Sequence, residues 1–167
     1  KIIASNKFPL IFGGEHSITP GSIEPIINKY GNLTLLHFDA HADLRESYNG
    51  SKFSHASAMK RCLDYKNVSI ISFGIRNISA SEIPCLKKNY SRINIFWAKD
   101  KMKWNLNKFK KMIKGKTVYL TFDVDGLDSS IMPATGTPEP GGLLWDETLN
   151  IIKIASKNSN IVGADIN

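Results

Sequence analysis

Three side chains able to bind metal alternate along one short stretch of this sequence. Asp39, His41 and Asp43 lie in Phe38-Asp39-Ala40-His41-Ala42-Asp43, directly after the apolar run Leu33 to Leu36. Side chains on an extended strand repeat every second residue, so these three point the same way. Carboxylates and imidazoles together suit Mn²⁺ and related divalent ions, whereas structural zinc sites prefer thiolates. The stretch predicts a metal site, although by itself it fits a polar loop with a helix cap equally well.

Two other predicted strand ends carry residues of the same kind. Asp123 and Asp125 alternate directly after the β-rich run Thr117 to Phe122, and His16 follows the apolar run Pro9 to Ile11. Four carboxylates crowded together would repel one another strongly, and two divalent cations would cancel that charge. Two metal ions about 3.5–4 Å apart can hold a bridging water and deliver hydroxide near neutral pH. The three strand ends together therefore favour a two-metal centre.

Strands and helices alternate along the chain and must position these residues. The predicted strands are Pro9 to Phe12, Leu33 to Phe38, Val68 to Phe73, Ile93 to Trp97, Thr117 to Phe122 and Ile161 to Ile166. The predicted helices are Pro20 to Tyr30, Lys52 to Asp64, Ser79 or Ser81 towards Lys88, a Lys-rich helix within Asn105 to Lys114, and Trp145 to Lys157. This order predicts a three-layer α/β/α fold with a largely parallel sheet. Ligands bind beyond the carboxyl ends of strands in such sheets, and all six candidates lie there.

Three motifs surround these candidate ligands: Gly13 to Ser17, Phe38 to Asp43, and Thr121 to Asp128 with its continuation Pro133 to Gly142. Together they resemble the signatures of the ureohydrolases, the family of arginases, agmatinases and related guanidino hydrolases. The resemblance implies an arginase-like fold. Because the sequence starts at Lys1 and stops within a predicted strand at Asn167, we expect residues 1–167 to be one ureohydrolase domain, incomplete at both ends.

The resemblance also implies a binuclear Mn²⁺ centre with two ions per subunit. One ion would be held by His16, Asp39, Asp43 and Asp123, and the other by Asp39, His41, Asp123 and Asp125. A metal-bridging hydroxide would attack the guanidinium carbon of a small cationic substrate, and the intermediate would collapse to urea and an amine. The implied assembly is a homo-oligomer, a trimer or a hexamer.

Further residues match positions that act on the substrate. His55 matches the family's loop histidine, which shuttles a proton to the leaving amine, and the alternative is an exposed loop histidine without a role. The ligand Asp43 joins His55 as a catalytic candidate. Thr137 matches a position beside the guanidinium. The family's guanidinium-binding glutamate would come just past Asn167.

The segment Asp43 to Ser51 bears on which guanidino compound is used. Arginases resemble one another in a Ser- and Asn-rich loop here that binds the α-carboxylate of arginine, and this chain has Arg45 in place of an asparagine. Together with Glu15 and Pro138 to Gly142, this looks most similar to bacterial agmatinases. We expect conversion of agmatine to putrescine and urea, a step of polyamine biosynthesis. The alternatives are an arginase, a guanidinobutyrase or a formimidoylglutamase-like enzyme, a catalytically impaired metal-binding relative, or a metal-free scaffold.

Four other polar residues are assigned supporting roles. His37 alternates with Asp39 but lies deeper in its strand, which favours a hydrogen-bonded core histidine over a ligand. Asp128 and Glu139 are expected to support the turn-rich segment between Asp128 and Gly142. Asp165, at the end of the last strand, is expected beside the metal ligands.

Composition narrows the remaining function classes. The chain has 42% hydrophobic and 22% charged residues, which is typical of a soluble globular protein. No apolar run approaches the ~20 residues that span a bilayer and no signal-peptide pattern is present, so we expect a cytoplasmic protein with no membrane partner. A net charge of +7 invites a nucleic-acid interpretation. Leu106, Phe109 and Ile113 instead indicate an amphipathic helix with solvated lysines, and we expect no nucleic-acid partner.

Overall fold

A computed structural model describes residues 2–167 of the chain as a parallel sheet with helices between the strands. The strands are β1 Leu10–Phe12, β2 Leu33–Phe38, β3 Val68–Phe73, β4 Ile93–Phe96, β5 Thr117–Phe122 and β6 Asn160–Ile166. They pair in the order β1-β6-β5-β2-β3-β4, and every pairing is parallel. The α-helices are α1 Thr19–Tyr30, α2 Ala58–Cys62, α3 Ile83–Lys88, α4 Leu106–Ile113 and α5 Trp145–Asn158. None of the helices between residues 2 and 167 combines the length and the apolar character that a membrane span requires.

The core has two parts, one on each face of the sheet. All six residues of β2 are buried, and alternate ones enter different clusters. Leu35 packs in one cluster with Ile23 of α1 and Met59 of α2. Leu36 packs in the other with residues of α4 and α5. Since helices cover both faces, the predicted three-layer α/β/α fold is confirmed.

The register aligns strand residues into two rows near the carboxyl ends. One row, the apolar row, contains Phe12, Ile166, Phe122, Phe38, Phe73 and Phe96. The other, one residue earlier, is the polar row, with Asp165, Thr121, His37 and Ser72. Because successive side chains on a strand point to opposite faces, the rows face opposite layers. The polar row therefore lies two residues before Asp39 and Asp123, which follow β2 and β5.

The Lys-rich helix has the expected orientation. Phe109 and Ile113 of α4 are fully buried, whereas Lys108, Lys110 and Lys111 are exposed. The lysines thus lie on the outer face of a helix whose apolar stripe packs on the sheet.

The helix predicted over Lys52 to Asp64 is shorter than expected. A 3-10 turn over His55–Ser57 precedes α2, which covers only Ala58–Cys62. The residues before the turn bond locally instead, since Tyr48 and Ser51 exchange main-chain hydrogen bonds of 2.9 Å and the Phe53 amide donates to Ser51 Oγ at 3.1 Å. Side-chain bonds from serine compete with helical bonds in this way.

Candidate metal centre

The six predicted ligands come together at the carboxyl ends of three strands. His16 starts a 3-10 turn a few residues after β1. Asp39, His41 and Asp43 lie in the loop that follows β2. Asp123 and Asp125 lie at the 3-10 turn after β5. Because β5 pairs directly with β2, these two acidic segments meet at the same edge of the sheet.

One group of ligand atoms surrounds the ring of His16. Its Nδ1 lies 3.0 Å from Asp39 Oδ2, 3.2 Å from Asp43 Oδ2 and 3.6 Å from Asp123 Oδ2. Nδ1 is buried and has no hydrogen-bond partner of good geometry. A buried polar atom without a partner is costly in a folded protein, and a metal ion at this point would satisfy it.

A second group lies around His41. Its Nδ1 is 3.1 Å from Asp125 Oδ2 and 3.4 Å from Asp39 Oδ1. Asp39 therefore offers one carboxylate oxygen to each group, as a bridging ligand does. Asp123 faces the His16 group through Oδ2, while its Oδ1 accepts a hydrogen bond of 3.0 Å from the Asp125 amide.

Proton binding reflects the crowding of these carboxylates. Burial, followed by the negative charge of Asp39, raises the pKa of Asp123 to about 8 and also raises that of Asp43. Burial acts to lower the pKa of His41, but its hydrogen bonds to Asp125 and Asp39 outweigh burial and raise that pKa to about 10. Protons thus offset part of the negative charge, a role that divalent cations can take over. The donor set and the free His16 Nδ1 fit metal ions.

His37 lies beside the His16 group and could be mistaken for a ligand. With His16 and Asp39 it forms a set of nitrogen and oxygen atoms close enough to hold a metal ion. However, its Nε2 is 2.9 Å from Asp39 Oδ2 and its Nδ1 is 3.0 Å from Ser72 Oγ. Both ring nitrogens are already bonded, so His37 is the hydrogen-bonded core histidine expected from its position in the strand.

The backbone of the loop after β2 is held in an unusual conformation at a ligand. Asp43 has φ of 52°, in the left-handed region that costs most residues about 1–2 kcal/mol and that Asp tolerates better. The buried carboxylate of Glu82 supports the next residue, because Oε1 accepts from the Leu44 amide at 2.8 Å. Glu82 Oε2 accepts from the amide of Ser79 at 2.7 Å. Sequence analysis did not assign Glu82 a role, although Ser79-x-x-Glu82 is the pattern of a capping box.

Arg76 is a second residue that sequence analysis missed. Its guanidinium donates to main-chain oxygens on three segments at once: Gly74 at 3.0 Å, Asp125 at 2.7 Å, Leu127 at 3.1 Å and Glu139 at 2.6 Å. It therefore connects the end of β3, the turn after β5 and the turn-rich segment. Its position just after β3 could have identified it as a site residue, because the other site residues also follow strand ends.

The turn-rich segment is shaped by one carboxylate. Asp128 Oδ2 accepts from the amides of Gly141 and Gly142 at 2.7 and 2.8 Å, which is the supporting role expected of it. Glu139 lies nearer the metal centre than expected, with Oε1 2.6 Å from Asn77 Nδ2 and 3.9 Å from His41 Nε2.

A cavity of about 340 Å³ opens over the ligands, and both predicted substrate residues border it. Thr137 Oγ1 donates to Asp125 Oδ2 at 3.0 Å. The His55 side chain is about half exposed; its ring stands edge-on to Tyr48, and its Nδ1 is 3.6 Å from Glu15 Oε1. The cavity thus offers a histidine with an accessible ring directly beside the ligand groups.

Comparison with known proteins agrees with this geometry. The family model described as "Arginase family" matches residues 1–167. An agmatinase of Bacillus anthracis is 38% identical over 99% of this chain, and an N(1)-aminopropylagmatine ureohydrolase of Synechocystis is 34% identical over 98%. The crystal structure of the agmatine ureohydrolase of Thermoplasma volcanium superposes with a TM-score of 0.83 at 34% identity, covering 99% of this chain and 55% of that one.

The fold and its paired ligand groups define an α/β protein with a metal site at the carboxyl edge of a parallel sheet. The chain belongs to the arginase family, whose members depend on metal. It spans 57% of the Bacillus anthracis relative and 54% of the Synechocystis relative. The resemblance seen in the three sequence motifs is confirmed.

Proposed function

We propose that the whole protein hydrolyses agmatine to putrescine and urea with two Mn²⁺ ions. The observation that carries the proposal is the sharing of Asp39, whose Oδ2 lies 3.0 Å from His16 Nδ1 while its Oδ1 lies 3.4 Å from His41 Nδ1. A carboxylate that divides its oxygens between two histidine-containing groups suits a pair of adjacent metal ions. In this assignment Asp43 and Asp123 complete the first group, and Asp123 and Asp125 complete the second.

The bound metal ions would lower the pKa of a water molecule at the site and so make a nucleophile available near neutral pH. Attack on the guanidinium carbon and cleavage of the bond to the alkyl nitrogen then require a proton for the leaving amine. His55 is positioned to give that proton, because it borders the cavity and its ring remains about half exposed. Glu15 can hold the ring, since its Oε1 lies 3.6 Å from Nδ1 and accepts from the His55 amide at 3.1 Å.

Thr137 has a geometry that suits contact with the guanidinium. Its single hydroxyl hydrogen is donated to Asp125, so the lone pairs on Oγ1 are free to accept an N–H bond. The guanidinium would thus be held beside the second ligand group without displacing a ligand. Two divalent ions would balance the four ligand carboxylates, and Glu139, which also borders the cavity, adds a negative charge that favours a cationic substrate.

The choice of agmatine rests on the relatives and on the segment after the first ligand loop. Arg45 stacks 4.9 Å from the centre of the Tyr48 ring at the border of the cavity, in place of the asparagine expected in arginases. The second candidate is a guanidino compound with a longer amine tail, favoured by the name of the Synechocystis relative. A cytoplasmic location and a homotrimeric or homohexameric assembly are part of the same proposal.

Urea release by the whole protein tests the substrate. We expect the highest kcat/KM on agmatine, compared with arginine, 4-guanidinobutyrate and N(1)-aminopropylagmatine, and loss of activity after chelation with recovery on adding Mn²⁺. Metal analysis of the active protein should give two ions per chain. Faster urea release from arginine than from agmatine would contradict the proposal.

A further inference from the structure

We infer that Thr121 and Asp165 are positioning residues that fix the ring of His16 so that its Nδ1, and not its Nε2, is offered to a metal ion. The inference rests on the proposed metal centre and extends it to residues outside the ligand set. When a histidine binds a metal ion through one ring nitrogen, the other nitrogen keeps its hydrogen. The hydrogen-bond acceptor beside that second nitrogen normally decides which of the two binds the metal.

The contacts form a continuous buried chain. His16 Nε2 lies 2.8 Å from Thr121 Oγ1, and Thr121 Oγ1 in turn donates to Asp165 Oδ1 at 2.7 Å. The exposed fractions of His16, Thr121 and Asp165 are 1%, 0% and 0%, so water does not compete for these bonds. Thr19 and Asn167 also donate to Asp165, at 3.1 and 2.9 Å, and hold its carboxylate in place.

Counting hydrogens shows which group is the donor in each of these hydrogen bonds. A threonine hydroxyl has one hydrogen and two lone pairs, and a carboxylate only accepts. Because the Thr121 hydrogen is directed to Asp165, Thr121 Oγ1 must accept from His16, which requires the hydrogen on Nε2. Nδ1 is then the nitrogen with a free lone pair, and it is the one that faces Asp39 and Asp43.

The sheet register explains why these groups meet. In the polar row, Thr121 is aligned with Asp165 on β6 and with His37 on β2, and His37 is aligned with Ser72 on β3. The His37 half of the row bonds to Asp39 and the Thr121 half bonds to His16. The polar row thus supports two predicted ligands that lie on different loops, His16 after β1 and Asp39 after β2.

The test compares Mn²⁺ affinity of the whole protein with that of three variants. Thr121→Val keeps the shape of the side chain but removes the acceptor for His16, and we expect its Kd for Mn²⁺ to rise about 10–100-fold. Thr121→Ser keeps the hydroxyl, so its Kd for Mn²⁺ should stay within about 3-fold of the wild-type value. Thr34→Val is the matched control, because Thr34 is a buried strand threonine on β2 whose hydroxyl bonds to Ser69 at 3.1 Å, away from the ligands.

The results separate positioning from general stability. Weakened Mn²⁺ binding in Thr121→Val, with normal binding in Thr121→Ser and Thr34→Val, supports the inference. Equal Kd values for Thr121→Val and the wild type, or equal losses in Thr121→Val and Thr34→Val, overturn it while leaving the proposed function intact. Absence of Mn²⁺ binding by the wild type would overturn the proposed function and this inference with it.

Nitrogen NMR of the imidazole rings gives a second measurement that does not depend on activity. In whole protein loaded with diamagnetic Zn²⁺, we expect the hydrogen of the His16 ring on Nε2 and the metal-shifted signal on Nδ1. A hydrogen on Nδ1, with the metal-shifted signal on Nε2, would overturn the inference.

Discussion

Arg76 donates a hydrogen bond of 2.7 Å from Nη2 to the main-chain oxygen of Asp125. The bond connects a cation just after β3 to the backbone of a predicted ligand after β5. Because the same guanidinium also bonds to Leu127 and Glu139, it fixes the turn after β5 relative to the segment that borders the cavity. The positions of the His41 group therefore depend on a residue that binds no metal.

Replacing Arg76 by lysine should loosen the metal centre. Lysine carries one charged nitrogen and cannot reach four carbonyl oxygens at once, so we expect the free energy of unfolding to fall by about 2–3 kcal/mol and Mn²⁺ affinity to fall with it. Denaturant unfolding and Mn²⁺ titration measure both effects.

Arg92→Lys is the matched control for this prediction. Arg92 also donates to main-chain oxygens, those of Leu63, Tyr65 and Val68, but near the amino end of β3 and far from the ligands. This variant should lose stability and keep its Mn²⁺ affinity. Unchanged Mn²⁺ binding in Arg76→Lys, or equal weakening in both variants, would contradict the assigned role.

Gly126 allows the turn after β5 to touch the first ligand loop. A Cβ at this position would lie 2.7 Å from Asp39 N and 3.1 Å from Asp39 Cα, and backbone atoms cannot move aside as the end of a side chain can. We expect Gly126→Ala to lower the free energy of unfolding by about 1–3 kcal/mol and to weaken Mn²⁺ binding. Gly136→Ala serves as the control because a Cβ there meets no atom within 4 Å. Equal free energies of unfolding for the two variants would contradict the close contact between Gly126 and the Asp39 backbone.

His55→Ala tests the proton transfer. The side chain borders the cavity but belongs to neither ligand group, so we expect Mn²⁺ content to be unchanged and kcat to fall about 10²–10⁴-fold. Phe53→Ala, at a neighbouring residue that is 74% exposed, should leave kcat unchanged. A His55→Ala enzyme with wild-type kcat would remove His55 from the mechanism.

Metal binding should release protons at neutral pH. Without metal, burial and Asp39 hold the pKa of Asp123 at about 8, and His41 is held at about 10 by its carboxylate partners against the effect of burial. At pH 7 both groups are mainly protonated, and each must lose its proton to bind metal. The Kd for Mn²⁺ should therefore fall as pH rises from 6 to 8. Titration calorimetry in buffers of different ionisation enthalpy measures the protons released, and a buffer-independent heat would contradict this prediction.

Much of the fold could be predicted because its signals are local. The run Leu33 to Phe38 is mainly apolar and is followed by alternating candidate ligands, so a few residues are enough to predict both the strand β2 and its functional end. The amphipathic stripe of α4 is equally local, and Phe109 is buried as expected. Motif spacing sufficed to place the six candidate ligands at strand ends, and the structure brings them together.

The contacts of the supporting residues could not be predicted because they depend on strand order and register. Asp165 was expected beside the metal ligands, but its hydrogen bond with Thr121, 44 positions earlier, forms only because β5 pairs with β6 in one particular alignment. Arg76 acts on a segment 63 residues away, at Glu139. The late start of α2 was missed for another reason, since serine side-chain bonds in the preceding loop compete with the helix without changing its apolar pattern.

The position of β1 has a consequence for how the protein is made. Among residues 2–167, β1 pairs only with β6, the last of the six strands in the sequence. On a ribosome, the segment bearing His16 emerges early and has no sheet neighbour until β6 has been translated and has docked beside β5. The complete His16 ligand group should thus form only after β6 has docked, and a nascent chain that lacks β6 should bind metal ions more weakly.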